Sequence, residues 1–129
     1  MPGKYKNLIQ RLVEAPLASV AFHSNTPSIT RLSTKHNLPI SIGVHCVSRT
    51  DEPPTEYSIL HSHDSPELNI LISSKGCELV YKLRFEDEIY TVSAPATVWI
   101  PAGLKHSANL VSGEGNYICL KYRASQNET

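Results

Sequence analysis

Apolar residues fall along this chain in two rhythms. Between residues 4 and 15, Leu8, Ile9, Leu12 and Val13 recur at helical spacing among Lys, Asn, Gln, Arg and Glu, and Pro16 closes the segment. That pattern predicts one short amphipathic helix. From about residue 38 onward, runs rich in Val, Ile, Tyr and Thr are separated by Pro, Gly, Ser, Asn and Asp. This is the pattern of an all-β domain. Strands are expected near residues 40–49, 57–63, 67–73, 78–85, 88–92, 97–100 and 115–122. Ser73-Ser74-Lys75-Gly76 and Glu86-Asp87 read as hairpin turns, and Pro101-Ala102-Gly103 as a sharp strand end. The chain therefore divides into a helix with its leading segment, residues 1–37, packed on a β domain, residues 38–129. Many short antiparallel strands make a sandwich or a barrel, and periodicity does not choose between them.

Composition narrows the partners. The chain has 129 residues, enough for one domain with its own core. Twelve basic residues balance 12 acidic ones for a net charge of zero, so no field favours a polyanion and nucleic acid is not an expected partner. Cys46, Cys77 and Cys119 are odd in number and lack CxxC spacing; they read as reduced thiols in a cytoplasmic protein. No continuous apolar run follows the first residues, so neither a signal peptide nor a membrane span is expected.

The candidate chemistry lies in the histidines. His61-Ser62-His63 places two imidazoles at i and i+2 of an extended run, both on one face. Asp64-Ser65-Pro66 is turn chemistry, after which Glu67, Asn69 and Leu71 share a face, so the Glu67 carboxylate can close on the two histidines. His106 lies far along the chain, beyond Thr97-Val98-Trp99-Ile100 and the Pro101 turn, where barrel closure could bring it to the same mouth. A lone histidine is more often a surface or hydrogen-bonded residue than a ligand, and His23, His36 and His45 are read that way.

The pattern His61-x-His63-xxx-Glu67 followed by Pro101-x-Gly103-xx-His106-xx-Asn109 resembles the paired motifs of the cupin superfamily. The resemblance covers roughly residues 38 to 122. It departs from the family pattern where Thr55 and Pro95 stand in place of glycines, Gly76 is displaced by two positions, and Asn109 comes one position early. It implies a double-stranded β-helix, or jelly roll, with His61, His63, Glu67 and His106 as metal ligands. Three imidazoles and one carboxylate leave about two open positions on a six-coordinate ion and suit Fe2+, Mn2+, Ni2+ or Zn2+ better than Ca2+ or Mg2+.

Around that centre, alternation turns Tyr57 and Ile59 inward with the histidines and sets Asn69 and Leu71 beside Glu67. Tyr57 and Asn69 are the candidate substrate contacts. Leu79, Tyr81, Leu83 and Phe85 read as core, and Cys119 as space-filling. His45, Arg84, Tyr90 and Lys121 could supply a proton or an anion contact, each with an ordinary structural explanation beside it, and no catalytic acid or base is assigned. The resemblance implies an enzyme on a small oxygenated or carboxylated metabolite, of dioxygenase, isomerase or lyase type. The alternative is a non-catalytic small-molecule binding or sensor module with a structural metal. A transcription-factor sensor is disfavoured because only a few residues follow the last expected strand, too few for a helix-turn-helix. The stripe Leu8, Ile9, Leu12 and Val13 needs covering, and a homodimer is the expected assembly.

Overall fold

The computed structural model describes residues 3–35 and 38–122. His36 and the segment boundary after residue 37, like the end of the chain from residue 123, lie at or beyond the edges of the described residues. Nine strands run in the order β1 (Val13–Glu14), β2 (Ile29–Ser33), β3 (Ile40–Val47), β4 (Glu67–Ser73), β5 (Leu79–Phe85), β6 (Glu88–Ser93), β7 (Ala96–Ile100), β8 (His106–Gly113) and β9 (Gly115–Tyr122). They form a six-stranded sheet ordered β1-β2-β3-β9-β4-β7 and a three-stranded sheet ordered β6-β5-β8, every pair antiparallel. The two sheets face each other as a jelly roll. Leu71 and Tyr117 from the large sheet meet Leu79, Tyr81, Leu83 and Leu110 from the small one in a single apolar core. Tyr81 stacks on Tyr117 with ring centroids 4.3 Å apart, joining the layers.

The turns follow their sequence chemistry. Gly76 (φ 78°) and Gly103 (φ 83°) occupy the left-handed region that glycine enters without penalty, and Glu86 (φ 55°) enters it in the β5–β6 hairpin.

The N-terminal helix expected over residues 4–15 does not form. Only a 3-10 turn, Lys6–Leu8, is present, and Val13–Glu14 pairs with β2 instead. Leu8 is 80% and Ile9 81% exposed. An isolated helix of this length is marginal in water, and this one finds no surface on its own barrel to bury its stripe against. The expected strand over 57–63 is likewise reduced to two isolated bridges, Ser58 to His23 and His61 to His106. Conversely, β2 and β8 form where no strand was expected. β2 pairs along the whole of its length with β3 and so extends the large sheet.

Candidate metal centre

Three backbone contacts assemble the site. The His61 and His106 segments exchange hydrogen bonds, His61 N–H to the His106 carbonyl (3.0 Å) and His106 N–H to the His61 carbonyl (2.8 Å). At the turn before β8, the Gly103 N–H donates to the His63 carbonyl (2.8 Å). Asn109 adds a side-chain clamp: its Oδ1 accepts from the N–H of Tyr57 (2.7 Å) and of Ser58 (3.0 Å), while its Nδ2 donates to the Ser58 carbonyl (2.9 Å). A short irregular segment is thereby tied to β8 by side-chain and backbone hydrogen bonds, although only its bridges lie in a ladder. Asn109 is a positioning residue for the segment leading to His61.

His61, His63 and His106 each direct a donor atom to a common point, all within 4.8 Å of one another. The ring of His61 is fixed by Nδ1, which donates to the Ile59 carbonyl at 2.6 Å, and that of His106 by Nδ1 on the Leu104 carbonyl at 2.9 Å. A backbone acceptor at Nδ1 places the proton there and leaves Nε2 as the lone-pair nitrogen. His106 Nε2 is buried with no hydrogen-bond partner among the described residues. Burial pushes the His61 imidazolium pKa below the usual histidine range and takes that of His63 down to about 4. Both rings are therefore neutral near pH 7, the form that binds a metal. An orphaned buried nitrogen beside two neutral imidazoles fits a transition-metal ion by donor type and direction.

Glu67, at the head of β4, is buried beside this group. Its Oε1 lies 3.6 Å from His63 Nε2 and 3.7 Å from Lys121 Nζ, and its Oε2 accepts from Asn69 Nδ2 at 2.8 Å. The compact three-nitrogen group does not include it; the carboxylate stands at the group's edge, oriented by Asn69. The Tyr117 hydroxyl in turn donates to Asn69 Oδ1.

The pocket lined by these residues has a volume of about 60 Å³. Tyr57 and Asn69 both line it, but their polar atoms are committed within the protein: the Tyr57 hydroxyl contacts His45 Nδ1 (3.0 Å) and the Tyr81 hydroxyl (2.9 Å). Ile59, expected to face inward, is 64% exposed. The segment is not a continuous strand, so alternation fails there, and Tyr57 and Ser58 are buried in succession. Lys121 and His45 do line the pocket, whereas Arg84 and Tyr90 are exposed on the small sheet. Sequence reasoning missed Arg31 and took His23 for an ordinary surface or bonded histidine; both line the pocket. The signal for Arg31 was Ile29-Thr30-Arg31-Leu32 after the turn-prone Thr26-Pro27-Ser28, an alternating run too short to stand out.

No family model matches the sequence, and no curated protein matches it. Solved structures do. A cupin 2 conserved barrel domain protein from Rhodopseudomonas palustris superposes with a TM-score of 0.57 at 16% identity, covering 90% of this chain and 73% of that one. An RmlC-like cupin from Shewanella frigidimarina gives 0.55 at 13%, covering 92% and 98%. A cupin-2 domain from Rhodospirillum rubrum gives 0.56 at 13%, covering 89% and 70%. The chain has the cupin fold. Within this fold the two stretches that carry the histidine motifs, 61–67 and 101–109, are the two stretches joined by the backbone contacts above. No described helix is long and apolar enough to cross a membrane.

Proposed function

We propose that this cupin binds one divalent transition-metal ion on His61, His63 and His106 with Glu67 as a fourth donor, and acts as an enzyme on a small oxygenated or carboxylated metabolite. The observation carrying this reading is the buried, unpartnered His106 Nε2 facing two further imidazoles. Nothing in the described structure satisfies that nitrogen, and a buried polar atom without a partner costs about 1–3 kcal/mol. Bound there, Fe2+, Mn2+, Ni2+ or Zn2+ would act as a Lewis acid that polarises a coordinated oxygen. The chain's own residues then have separate tasks. The Ile59 and Leu104 carbonyls hold two ligand rings in one tautomer, Asn69 orients the Glu67 carboxylate, and the pocket walls limit the size of what enters.

A second reading, a non-catalytic binding module, has one observation in its favour. The pocket hydroxyls that could move protons, Tyr57 and Tyr117, are fully engaged and burial raises both far above the usual tyrosine range. Purified protein freed of metal and reloaded with each of the four ions should take up close to one equivalent. Oxygen uptake or product formation from a panel of small acids by one loaded form supports the enzyme; ligand binding with no turnover in any form supports the module. Absence of uptake of all four ions would sink both. We further propose that the protein works as a homodimer, an assembly argued below from the outer face of the large sheet.

A further inference from the structure

Inward-facing side chains of the large sheet fall in register. Ser41, Lys121 and Glu67 stand in one row, Gly43, Cys119 and Asn69 in the next, and Arg31, His45, Tyr117 and Leu71 in the third. Arg31 is thus directed into the barrel from β2, with its neighbours Thr30 and Leu32 turned outward. Its guanidinium leans back over Gly43. A Cβ built on Gly43 would lie 3.3 Å from Arg31 Nη2 and 3.6 Å from its Nε, so the absence of a side chain at 43 is what gives the guanidinium room. The backbone at Gly43 is ordinary strand, which any residue adopts.

Arg31 is half-buried and, among the described residues, makes neither an ion pair nor a side-chain hydrogen bond. An uncompensated guanidinium in a partly desolvated cleft is costly. Burial accordingly pulls its pKa down, with no carboxylate to oppose the shift. The pocket's fixed charges are two cations, Arg31 and Lys121, against the single carboxylate of Glu67. The cavity therefore carries an excess positive charge before any metal enters. A guanidinium offers a planar fork of donors that matches a carboxylate.

Resting on the proposed metal site, we infer that Arg31, flanked by Lys121, forms the anion half of the pocket and holds the carboxylate of a small acid whose other oxygen faces the three histidines. Size limits the acid. A water needs roughly 10–15 Å³ of such volume, so a cavity of about 60 Å³ takes on the order of five non-hydrogen atoms. Two-carbon hydroxy or oxo acids, with five non-hydrogen atoms, meet that limit; sugars and aromatic acids exceed it.

The test uses glycolate and its neutral isostere glycolamide, titrated calorimetrically into the full chain in metal-loaded and metal-free forms, with metal content measured on each sample. Glycolate should bind and glycolamide should bind about tenfold or more weakly, the worth of one charge-assisted contact. Arg31→Gln should lose that preference while retaining its metal, and Gly43→Val, which crowds the guanidinium without removing it, should weaken glycolate in the same direction. Equal binding of the two probes, or undiminished glycolate binding in both variants, overturns the inference. Should the protein take up no metal, the metal-site reading fails by itself; the glycolate preference of the metal-free chain and its dependence on Arg31 still decide the anion subsite. Should Arg31→Gln fail to fold, Gly43→Val and the probe pair in the unmodified chain decide it.

Discussion

The two faces of the six-stranded sheet differ more than the two sheets do. Toward the barrel mouth its inner face carries Ser41, Lys121, Glu67, Asn69, His45 and Arg31; its outer face carries Ile42, Leu120, Leu68 and Trp99 in one row and Leu32, Val44, Ile118 and Ile70 in the next. A sheet in a single-chain sandwich ordinarily turns polar residues outward and apolar ones inward. Here the polarity near the mouth is reversed. Inward, buried charge and imidazole make sense if something small and polar occupies the pocket. Outward, Trp99 at 61% exposure, at the end of a row with no charged side chain, and a second row whose one charge is Glu14 at its β1 edge, make sense if another protein surface covers them. The exposed N-terminal stripe Leu8, Ile9, Leu12 and Val13 adds to the apolar area needing a partner, and a second copy of the chain would cover it.

If the two faces do separate work, substitutions on one should leave the other's task intact. The largest effect is expected inside. His106→Ala removes a buried donor and should lower metal affinity by more than the roughly 100-fold upper range seen for residues that merely orient ligands, with no change in assembly. Competition against a chromogenic chelator measures it, and undiminished affinity would show that His106 is not a ligand. Outside, Ile70→Lys places a charge in an apolar row, between Ile118 and Thr97. The unmodified chain should scatter light as a dimer and the variant as a monomer, both with full metal content. A monomeric unmodified protein at micromolar concentration would remove the reason offered for the outer face.

The same contrast explains what could be read without a structure. Strands β4 and β9 span 67–73 and 115–122, as the sequence pattern placed them, because each carries a short apolar run, Ile70 to Ile72 and Tyr117 to Leu120, next to turn-prone residues. The three grouped histidines were legible because His61 and His63 stand two apart ahead of Glu67, and His106 stands at a specific spacing from Pro101 and Gly103. Strand β8 was not, since His106, Ser107, Asn109 and Leu110 are all buried and both its faces are covered, leaving no alternation. The N-terminal stripe had helical spacing but no surface on its own chain. Arg31 lay hidden because its importance comes from β2 pairing beside β3, a long-range fact that five residues of local pattern do not encode.

A smaller effect sharpens the inner face as a store of pH-dependent stability. His45 is 5% exposed and desolvation lowers its pKa from 6.5 to about 3. The unfolded chain binds this proton below pH 6.5 and the folded chain does not until about 3. Stability is therefore present above 6.5 and is lost as pH falls through that window. For this group alone the loss at pH 5 is about 2 kcal/mol. Urea unfolding of metal-free protein at pH 7 and pH 5 should show His45→Gln losing less than the unmodified chain by about that amount. His23, His61 and His63 are present in both proteins and cancel in the comparison. Identical pH slopes would mean that His45 is not the buried neutral group described.

The smallest effect probes how far the inner face's organisation reaches from the ligands. The Tyr117 hydroxyl donates to Asn69 Oδ1, and Asn69 Nδ2 donates to Glu67 Oε2, so the phenol holds the amide that aims the carboxylate. Tyr117→Phe keeps the ring stacked between His45 and Tyr81 and removes one donor. Leaving Asn69 Oδ1 buried without that partner should cost about 1–3 kcal/mol of stability. If Glu67 is a metal ligand, the freed amide also loosens its aim, and affinity for the metal should fall by about tenfold, the low end for a residue acting through a ligand. If Glu67 serves only as the counter-ion of Lys121, 3.7 Å away, the stability loss should appear and the metal affinity should not move. Measuring both quantities on one preparation separates the two roles, because packing damage alone lowers stability without selectively weakening the metal, and Glu67→Gln provides the reference for complete loss of the carboxylate's charge.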